Sequence, residues 1–163
     1  MVIFYEVQYM RRVWWVMFLV VGIAAMMWWG FIQQIIFGEP WGTNPAPDWM
    51  MWLLLLIFGL VFPLAFYWMR LIVEVLDDSV SIRYIPLTRI NILLSDIQDV
   101  EAIIYKPLQD YGGWGIRRRS NRKAYNVSGN RGVEITLHDG RIVMIGSQKA
   151  EEMALAIRSQ LPR

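Results

Sequence analysis

A dense run of cationic side chains occupies residues 117–123, the part of the chain best suited to bind a charged ligand. Five of these seven residues are basic, namely Arg117, Arg118, Arg119, Arg122 and Lys123. Ser120 and Asn121 favour a tight turn, so the run is predicted to cap a β-hairpin. Each Lys or Arg near an anionic membrane contributes about 1 kcal/mol of attraction. The cluster therefore predicts contact with anionic lipid headgroups.

Other interpretations of the basic cluster at residues 117–123 remain open. The simplest is a solvated loop that keeps its domain soluble without binding anything. A protein partner, or a second copy of the chain, could also use these charges. Nucleic acid is disfavoured as a partner, because the sequence predicts no broader basic face around the cluster.

Residue patterns for catalysis and metal binding are missing from the sequence. The chain has one His, His138, which lies beside a turn at Asp139, and it has no Cys. A zinc site needs several His or Cys ligands. A Ser128, His138 and Asp139 set would also lack the nucleophile elbow that serine hydrolases use. We therefore expect no metal, no cofactor and no enzymatic activity, and an enzyme acting on lipids is the least favoured class.

The glycine-rich segment Tyr-Gly-Gly-Trp-Gly at residues 111–115 could suggest a phosphate-binding loop. It lacks the Gly-Lys-Ser/Thr ending of a P-loop, and no helical pattern follows it. Glycines within a strand more often mark a bulge or a close approach of the backbone. The segment is therefore predicted to be an irregular strand whose Trp114 packs on a sheet face.

Two long apolar runs determine the class of the N-terminal half. Residues 13–37 and residues 49–69 contain 25 and 21 consecutive residues without a charge. A helix rises about 1.5 Å per residue, so each run can span a hydrocarbon core of roughly 30 Å. The rest of the chain is too short to bury two such helices in a soluble core. The sequence predicts a transmembrane hairpin with helices at about 13–37 and 49–70.

Aromatic residues lie near the ends of both apolar runs. Trp and Tyr favour the headgroup region, where the ring contacts lipid and the polar tip stays hydrated. The residues predicted to anchor the helices at the two interfaces are Trp14, Trp15, Trp28, Trp29, Trp49, Trp52, Tyr67 and Trp68.

The charges flanking the apolar runs predict the topology. Arg11 and Arg12 precede the first run and Arg70 follows the second, whereas the connector at residues 38–48 contains no Lys or Arg. Cytoplasmic loops carry the excess of basic residues in membrane proteins. We therefore expect a multi-pass protein of the cell membrane, with both termini in the cytoplasm and the connector outside.

The second half of the chain has the residue pattern of a soluble, mainly-β domain. Val133, Ile135 and Leu137 illustrate the alternation of apolar and polar residues that marks half-buried strands. We divide the chain into residues 1–76, with the two helices, and a cytoplasmic domain at 77–163 whose first strand begins near residue 71. Strands are predicted near 71–76, 80–85, 89–94, 98–106, 112–118, 123–127, 132–138 and 141–146.

The C-terminal segment predicts a hairpin followed by a helix. Asp139-Gly140 favours a two-residue type I′ turn, which needs positive φ at both positions. After Ser147, apolar residues recur at helical spacing as far as Leu161. This helix is expected to close a strongly bent sheet or barrel. The residues predicted to share its core are Val133, Ile135, Ile142, Met144, Met153 and Ile157.

Several segments together resemble known families. Residues 132–157 resemble the last hairpin and helix of bacterial pleckstrin-homology-like domains. Most of the chain is similar to a family of small, uncharacterised prokaryotic membrane proteins with two helices. The motifs that carry this similarity are Trp-Gly-Phe-Ile-Gln-Gln at 29–34, Asn-Pro-Ala-Pro-Asp at 44–48, Tyr-Gly-Gly-Trp-Gly at 111–115 and Tyr-Asn-Val-Ser-Gly-Asn at 125–130. The resemblance implies a pleckstrin-homology-like fold on a two-helix anchor, and it implies no catalytic residue and no ligand.

These observations lead to one functional hypothesis and one alternative. The hypothesis is a non-enzymatic, membrane-anchored binding or scaffold module, which presents a pleckstrin-homology-like domain at the cytoplasmic leaflet of the bilayer. The domain would bind a lipid headgroup, a protein partner or another copy of itself. The alternative is a structural or regulatory subunit of a larger membrane complex, with the helices as its interaction surface.

Overall fold

The computed structural model describes residues 1–161 and divides the chain into two compact units. A helical unit comprises Met10–Met69, and a β unit combines Met1–Tyr9 with the chain from Arg70 onward. The structure therefore differs from the predicted division after residue 76. Residues 70–76 belong to the β unit, and the first nine residues join them there because the two segments pair as strands.

The helical unit contains two long helices, α1 at Trp14–Ile36 and α2 at Asp48–Trp68. Both are long and apolar enough to cross a membrane, by length and composition. The backbone widens to π-helical geometry at Ile32–Ile36 in α1 and at Leu55–Val61 in α2. The predicted pair of long apolar helices is thus confirmed, with the second helix beginning one residue earlier than the apolar run.

The two helices pack on each other through aromatic and small residues. Pro63 has no N–H to donate to the carbonyl of Gly59, four residues earlier. The indole Nε1 of Trp28 donates to that carbonyl oxygen at 3.3 Å. Further along the pair, the ring of Phe31 meets the ring of Trp52 edge-on, with centroids 4.6 Å apart. A proline in one helix is therefore accommodated by a tryptophan from the other.

Within residues 1–161, the β unit holds nine strands in two sheets. The first sheet is antiparallel in the order β1-β2-β3-β4, with bounds Val2–Tyr9, Arg70–Leu76, Ser79–Ile85 and Thr88–Leu93. The second has the order β5-β8-β9-β7-β6, and β7 and β9 are parallel. Its strands β5 to β9 span Ile97–Ile104, Gly115–Arg119, Arg122–Asn126, Arg131–Leu137 and Ile142–Gly146.

Two helices complete the β unit. The short helix α3, Pro107–Tyr111, lies between β5 and β6, and the terminal helix α4 spans Ala150–Arg158. Helix α4 contacts β5 and β8 of the second sheet and β1 and β2 of the first. Its apolar face, which includes Met153 and Ile157, is fully buried. The predicted C-terminal helix is confirmed, and it joins two sheets rather than closing one bent sheet.

A buried carboxylate ties strand β1 to the segment that leads into α4. Glu6 accepts hydrogen bonds from the Ser147 hydroxyl and from the Gln148 backbone amide, the latter at 2.9 Å. Beside it, the Gln8 side-chain amide donates to the carbonyl of Gly146 at 2.7 Å. Both polar side chains are buried, at 8% and 7% exposed. Residues 2–9 are therefore a strand of the β unit, which the sequence did not predict.

The loop of the β8–β9 hairpin is one residue longer than predicted. Leu137 and Arg141 close a three-residue loop in which Gly140 alone has positive φ, at +80°. This is the geometry of a type I turn followed by a left-handed glycine, not a two-residue type I′ turn. It pairs Ile135 with Val143, so Ile142 and Met144 face away from the core predicted for them. Met144 instead packs in a separate buried cluster with Tyr105, Tyr111 and Ala124.

Candidate functional site

The basic cluster lies on the β6–β7 hairpin, which turns at Ser120 and Asn121 as predicted. Arg119 pairs with Arg122 next to the turn, and Arg118 pairs with Lys123 one step further away. Successive side chains on a strand point to opposite faces of the sheet. The five cations are therefore divided, with Arg118 and Lys123 on one face and the other three arginines on the opposite face.

The three arginines on that second face contact the protein itself. The Arg117 Nε donates to the Trp114 carbonyl at 3.0 Å, and the Arg119 guanidinium donates to two carbonyls of α3 at 3.3 and 3.4 Å. Arg122 pairs with Glu134 at 3.7 Å. Strand β6 is also an edge of its sheet, and charged side chains on an edge strand discourage pairing with other chains. A structural role accounts for these three residues.

The other two cations, Arg118 and Lys123, line a cleft of about 290 Å³ within the β unit. Within residues 1–161 neither side chain has a hydrogen-bond or ion-pair partner. The cleft lies between β4 of the first sheet and the β6–β7 and β8–β9 hairpins of the second. Its apolar lining is formed by Ile90, Ile92, Leu137, Ile142 and Val143.

Arg141 is the third cation of the cleft, and the sequence did not single it out. Hydrogen bonds between the turns of the β6–β7 and β8–β9 hairpins hold Arg141 at the cleft. The Asn121 side-chain amide donates to the Gly140 carbonyl at 2.8 Å, and the Ile142 amide donates to the Asn121 carbonyl at 3.0 Å. The sequence feature that could have identified Arg141 was the predicted turn at Asp139-Gly140, because that turn exposes the residue that follows it.

Arg141 already has a carboxylate beside it. Its Nε lies 2.6 Å from Oδ2 of Asp139, and its backbone amide donates to the same side chain at 2.9 Å. The hydrogen bonds from the amide and the guanidinium lower the pKa of Asp139. Any anion that reached Arg141 would compete with a surface carboxylate for its guanidinium.

The remaining polar residues at the cleft are mixed in character. Asn91, Ser120 and Asn121 offer hydrogen-bonding groups, and Asp96 supplies the single carboxylate among the lining residues. Three cations thus face one carboxylate over an apolar lining. This arrangement can hold a small anion. Within residues 1–161 there is no group of three or more His, Cys, Asp or Glu side chains placed to bind a metal ion.

The glycine-rich segment is not the strand that the sequence predicted. Tyr111 ends α3, and Gly112, Gly113 and Gly115 follow with φ of +73°, +123° and +101°. Positive φ at three positions out of four requires glycine, so the segment is a compact turn between α3 and β6. The Trp114 indole donates to the Gly129 carbonyl at 2.9 Å.

The eight aromatic residues predicted as interfacial anchors are all exposed in the helical unit. Trp14, Trp15, Tyr67 and Trp68 lie at the ends of the helices nearest the β strands in sequence. There the Arg11 guanidinium lies over the Tyr67 ring, 5.1 Å from its centroid. The others, Trp28, Trp29, Trp49 and Trp52, lie toward the connector. One further tryptophan, Trp41, packs so closely on Gly30 that a Cβ there would lie 2.5 Å from its ring.

Comparison with known proteins places the whole chain in one family. The model of a family of unknown function (DUF6141) matches residues 1–162. No curated protein matches the chain. Since the match covers almost every residue, the chain belongs to this family, and the predicted similarity to one family over most of the chain is supported.

Proposed function

We propose that this member of DUF6141 is a non-enzymatic, membrane-anchored binding module. Its two long helices anchor a pleckstrin-homology-like β unit at the cytoplasmic leaflet, and the cleft of that unit binds anionic lipid headgroups. The observation that carries the proposal is the pair Arg118 and Lys123. These cations lie opposite each other in a cleft and lack partners within the described residues.

The pairing of β1 with β2 supports an anchor that crosses the membrane and returns. Tyr9 lies directly opposite Arg70 in the first sheet, although α1 and α2 separate them in sequence. This pairing fits an anchor whose two ends lie on the same side of a bilayer, as two crossings require. The basic residues Arg11, Arg12 and Arg70 favour the cytoplasm as that side.

The order of elements in the β unit supports its likeness to a pleckstrin-homology-like domain. Successive antiparallel strands are followed by a C-terminal helix that covers their buried face. Two features depart from that likeness. Strand β1 is separated from the rest by the helical unit, and β7 pairs with β9 in parallel.

Electrostatics favours an anionic headgroup as the ligand. A module tethered to a bilayer meets lipid headgroups at high local concentration, and each cation near an anionic surface contributes about 1 kcal/mol. The cleft offers three such cations, Arg118, Lys123 and Arg141, on side chains that project from two hairpin ends.

The second candidate is a subunit of a larger membrane complex, for which the exposed apolar side chains of the helical unit offer an interaction surface. Large apolar side chains along both helices remain uncovered, including Phe18 at 75% and Leu64 at 56% exposed. Lipid would cover them in a solitary anchor, and partner helices would cover them in a complex or homo-oligomer. Purification in mild detergent, followed by identification of stoichiometric partners, separates these two cases.

The proposed lipid binding is tested on the full chain by native mass spectrometry in a non-ionic detergent. Phosphatidylglycerol and phosphatidylcholine are added in equal amounts, and the lipid adducts are counted. We expect preferential retention of phosphatidylglycerol, and a loss of that preference in the variant Arg118→Gln, Lys123→Gln and Arg141→Gln.

A control with the same change in charge uses the arginines of the opposite face, Arg117→Gln, Arg119→Gln and Arg122→Gln. Circular dichroism and thermal unfolding verify that both variants fold. The control should keep the preference for anionic lipid. Equal retention of the two lipids by the wild-type chain, or an equal loss in both variants, would contradict lipid binding at the cleft.

A further inference from the structure

We infer that the cleft recognises a phosphate monoester, carried either by a lipid headgroup or by a small soluble metabolite. The inference rests on the proposed function and narrows its ligand from any anion to a dianionic group. It follows from the charge balance, the side-chain chemistry and the size of the cleft.

The cations of the cleft favour a dianion that can displace Asp139 from Arg141. Arg118, Lys123 and Arg141 carry three positive charges, the lining holds one carboxylate, Asp96, and Asp139 pairs with Arg141, so one positive charge is in excess. A phosphate monoester carries about −1.5 to −2 charges at neutral pH, whereas a phosphodiester or a simple carboxylate carries only about half of that charge. The dianion therefore competes better with the Asp139 carboxylate for Arg141 while it also meets Arg118 and Lys123.

The side chains also suit the geometry of a phosphate group. A guanidinium offers a planar fork of donors that matches two phosphate oxygens, and a lysine ammonium acts as a compact charge beside it. Arg118 and Lys123 are fixed opposite each other by the strand register, and Arg141 is brought in by the bonds between Asn121 and the β8–β9 hairpin. Three cationic side chains, two on the β6–β7 hairpin and one in the loop before β9, therefore line one cleft.

The size of the cleft limits the ligand to a small group. Its volume of about 290 Å³ lies at the lower limit of pockets for small molecules, roughly 300 to 1,000 Å³. A phosphate and a short hydroxylated body can enter it, whereas acyl chains would remain outside. Asn91 and Ser120 in its lining can bond hydroxyl groups of that body, and the apolar lining can contact its carbon atoms.

The direct test is calorimetric titration of the full chain, purified in a non-ionic detergent, with glycerol 3-phosphate and with inorganic phosphate. Glycerophosphoglycerol, a diester, and glycerate, a carboxylate, each carry one negative charge and serve as comparison ligands. We expect saturable binding of the two phosphate probes, with at least tenfold weaker binding of the comparison ligands. Each single change, Arg118→Gln, Lys123→Gln or Arg141→Gln, should weaken phosphate binding about tenfold. Arg117→Gln should change it less than twofold.

One further variant tests the competition at Arg141. Asp139→Asn removes the carboxylate that pairs with Arg141 and should tighten phosphate binding several-fold. Absence of saturable phosphate binding, or binding that the comparison ligands match, would overturn the inference. If phosphatidylglycerol is still preferred in that case, the proposed lipid-binding module stands and only its narrower ligand class fails.

A competition arm separates the two sources of the phosphate group. Phosphatidic acid, whose headgroup is a phosphate monoester, is added to the detergent during titration with glycerol 3-phosphate. Displacement of the soluble probe identifies a lipid as a ligand of the cleft. Undiminished binding of the probe identifies a soluble phosphate ester, and both results require the cleft to bind a monoester.

Discussion

Arg118 lies directly opposite Lys123 across the β6–β7 hairpin, and neither cation has a hydrogen-bond or ion-pair partner within residues 1–161. Like charges placed opposite each other on one sheet face are destabilising. The neighbouring pair, Arg119 and Arg122, repeats the pattern, but there each guanidinium has its own acceptor. A bound anion would relieve the repulsion between Arg118 and Lys123, which links the stability of this hairpin to ligand binding.

Reversing one of these charges should abolish phosphate binding and raise the stability of the hairpin. Lys123→Glu would place a carboxylate opposite Arg118, and such a pair contributes about 0.2–1 kcal/mol in a sheet. We expect a higher free energy of unfolding and the loss of phosphate binding, measured by denaturant titration and calorimetry on the full chain. Lys123→Arg, which keeps the charge, should change neither by much. A destabilised Lys123→Glu variant would show that the repulsion is negligible.

The position of Arg141 shows why the sequence revealed only part of the site. The basic cluster at residues 117–123 was visible because its members are adjacent in sequence. Arg141 comes from another hairpin, and it joins the cleft only because β9 pairs in parallel with β7. The alternation of apolar residues identifies strands, but it does not determine which strands become neighbours.

The first strand shows a second limit of the sequence pattern. Residues 2–9 alternate, but the buried face that follows Phe4 holds Glu6 and Gln8. Buried polar side chains conceal a strand from any search for apolar periodicity. The partner strand β2 also lies beyond the whole helical unit, so no turn signal connects the two.

Neutralising the buried carboxylate should destabilise the β unit. Glu6→Gln keeps the shape of the side chain but replaces one acceptor oxygen with an NH2 group, so either the Ser147 hydroxyl, which donates to Oε2, or the Gln148 amide, which donates to Oε1, loses its acceptor. A buried polar group without a partner costs about 1–3 kcal/mol, so we expect a loss of that size. The control Glu101→Gln lies on an exposed position of β5 and should remain within about 0.5 kcal/mol of the wild type. Equal stability of both variants would rule out a structural role for the Glu6 network.

The terminal helix offers a matched pair of core and surface changes. Ile157 is fully buried, whereas Leu155, two residues earlier on the same helix, is 65% exposed. Truncating a fully buried Ile to Ala costs about 2–5 kcal/mol, so Ile157→Ala should lower the free energy of unfolding by that amount. Leu155→Ala should change it by less than about 0.5 kcal/mol. Similar losses for the two variants would mean that α4 does not cover the sheets through Ile157.

Ile157 and Met144 were predicted to share one core, but the structure places Met144 in a separate buried cluster. Val133 and Ile135 have no exposed surface, as predicted. A two-residue turn would have paired Ile135 with Met144, whereas the three-residue loop pairs it with Val143. One extra loop residue moves every side chain of β9 to the other face. Dipeptides such as Asp-Gly indicate a turn more reliably than they indicate its length.

Alkaline pH should weaken the β unit through its buried tyrosines. Burial raises the pKa of Tyr84 and of Tyr105 to about 12, and Asn126 bonds the Tyr105 hydroxyl. The unfolded chain releases these protons near pH 10, so stability is fully present below about pH 10 and is lost as the pH rises toward about 12. We expect the denaturation midpoint to be constant from about pH 7 to 9 and to fall above about pH 10.

Two variants locate the source of this alkaline loss. Tyr84→Phe removes one titrating hydroxyl and its 3.3 Å bond to the Asn126 carbonyl. It should cost about 0.5–1.5 kcal/mol at neutral pH and flatten the fall above pH 10. The control Tyr5→Phe removes a hydroxyl from an exposed side chain on β1 and should leave the pH profile of the wild type. An alkaline fall in Tyr84→Phe as steep as that of the wild type would assign the effect to other groups.

The topology is testable with single cysteines, because the chain has none of its own. Thr43→Cys lies in the exposed connector between α1 and α2, and Ser95→Cys lies on an exposed turn of the β unit. If both helices cross the cell membrane with the termini inside, an impermeant thiol reagent should label Thr43→Cys in intact cells. Ser95→Cys should react only after the cells are lysed, which also controls for its accessibility. Labelling of Ser95→Cys alone in intact cells would invert the topology, and labelling of both in intact cells would place the connector and the β unit on the same, external side.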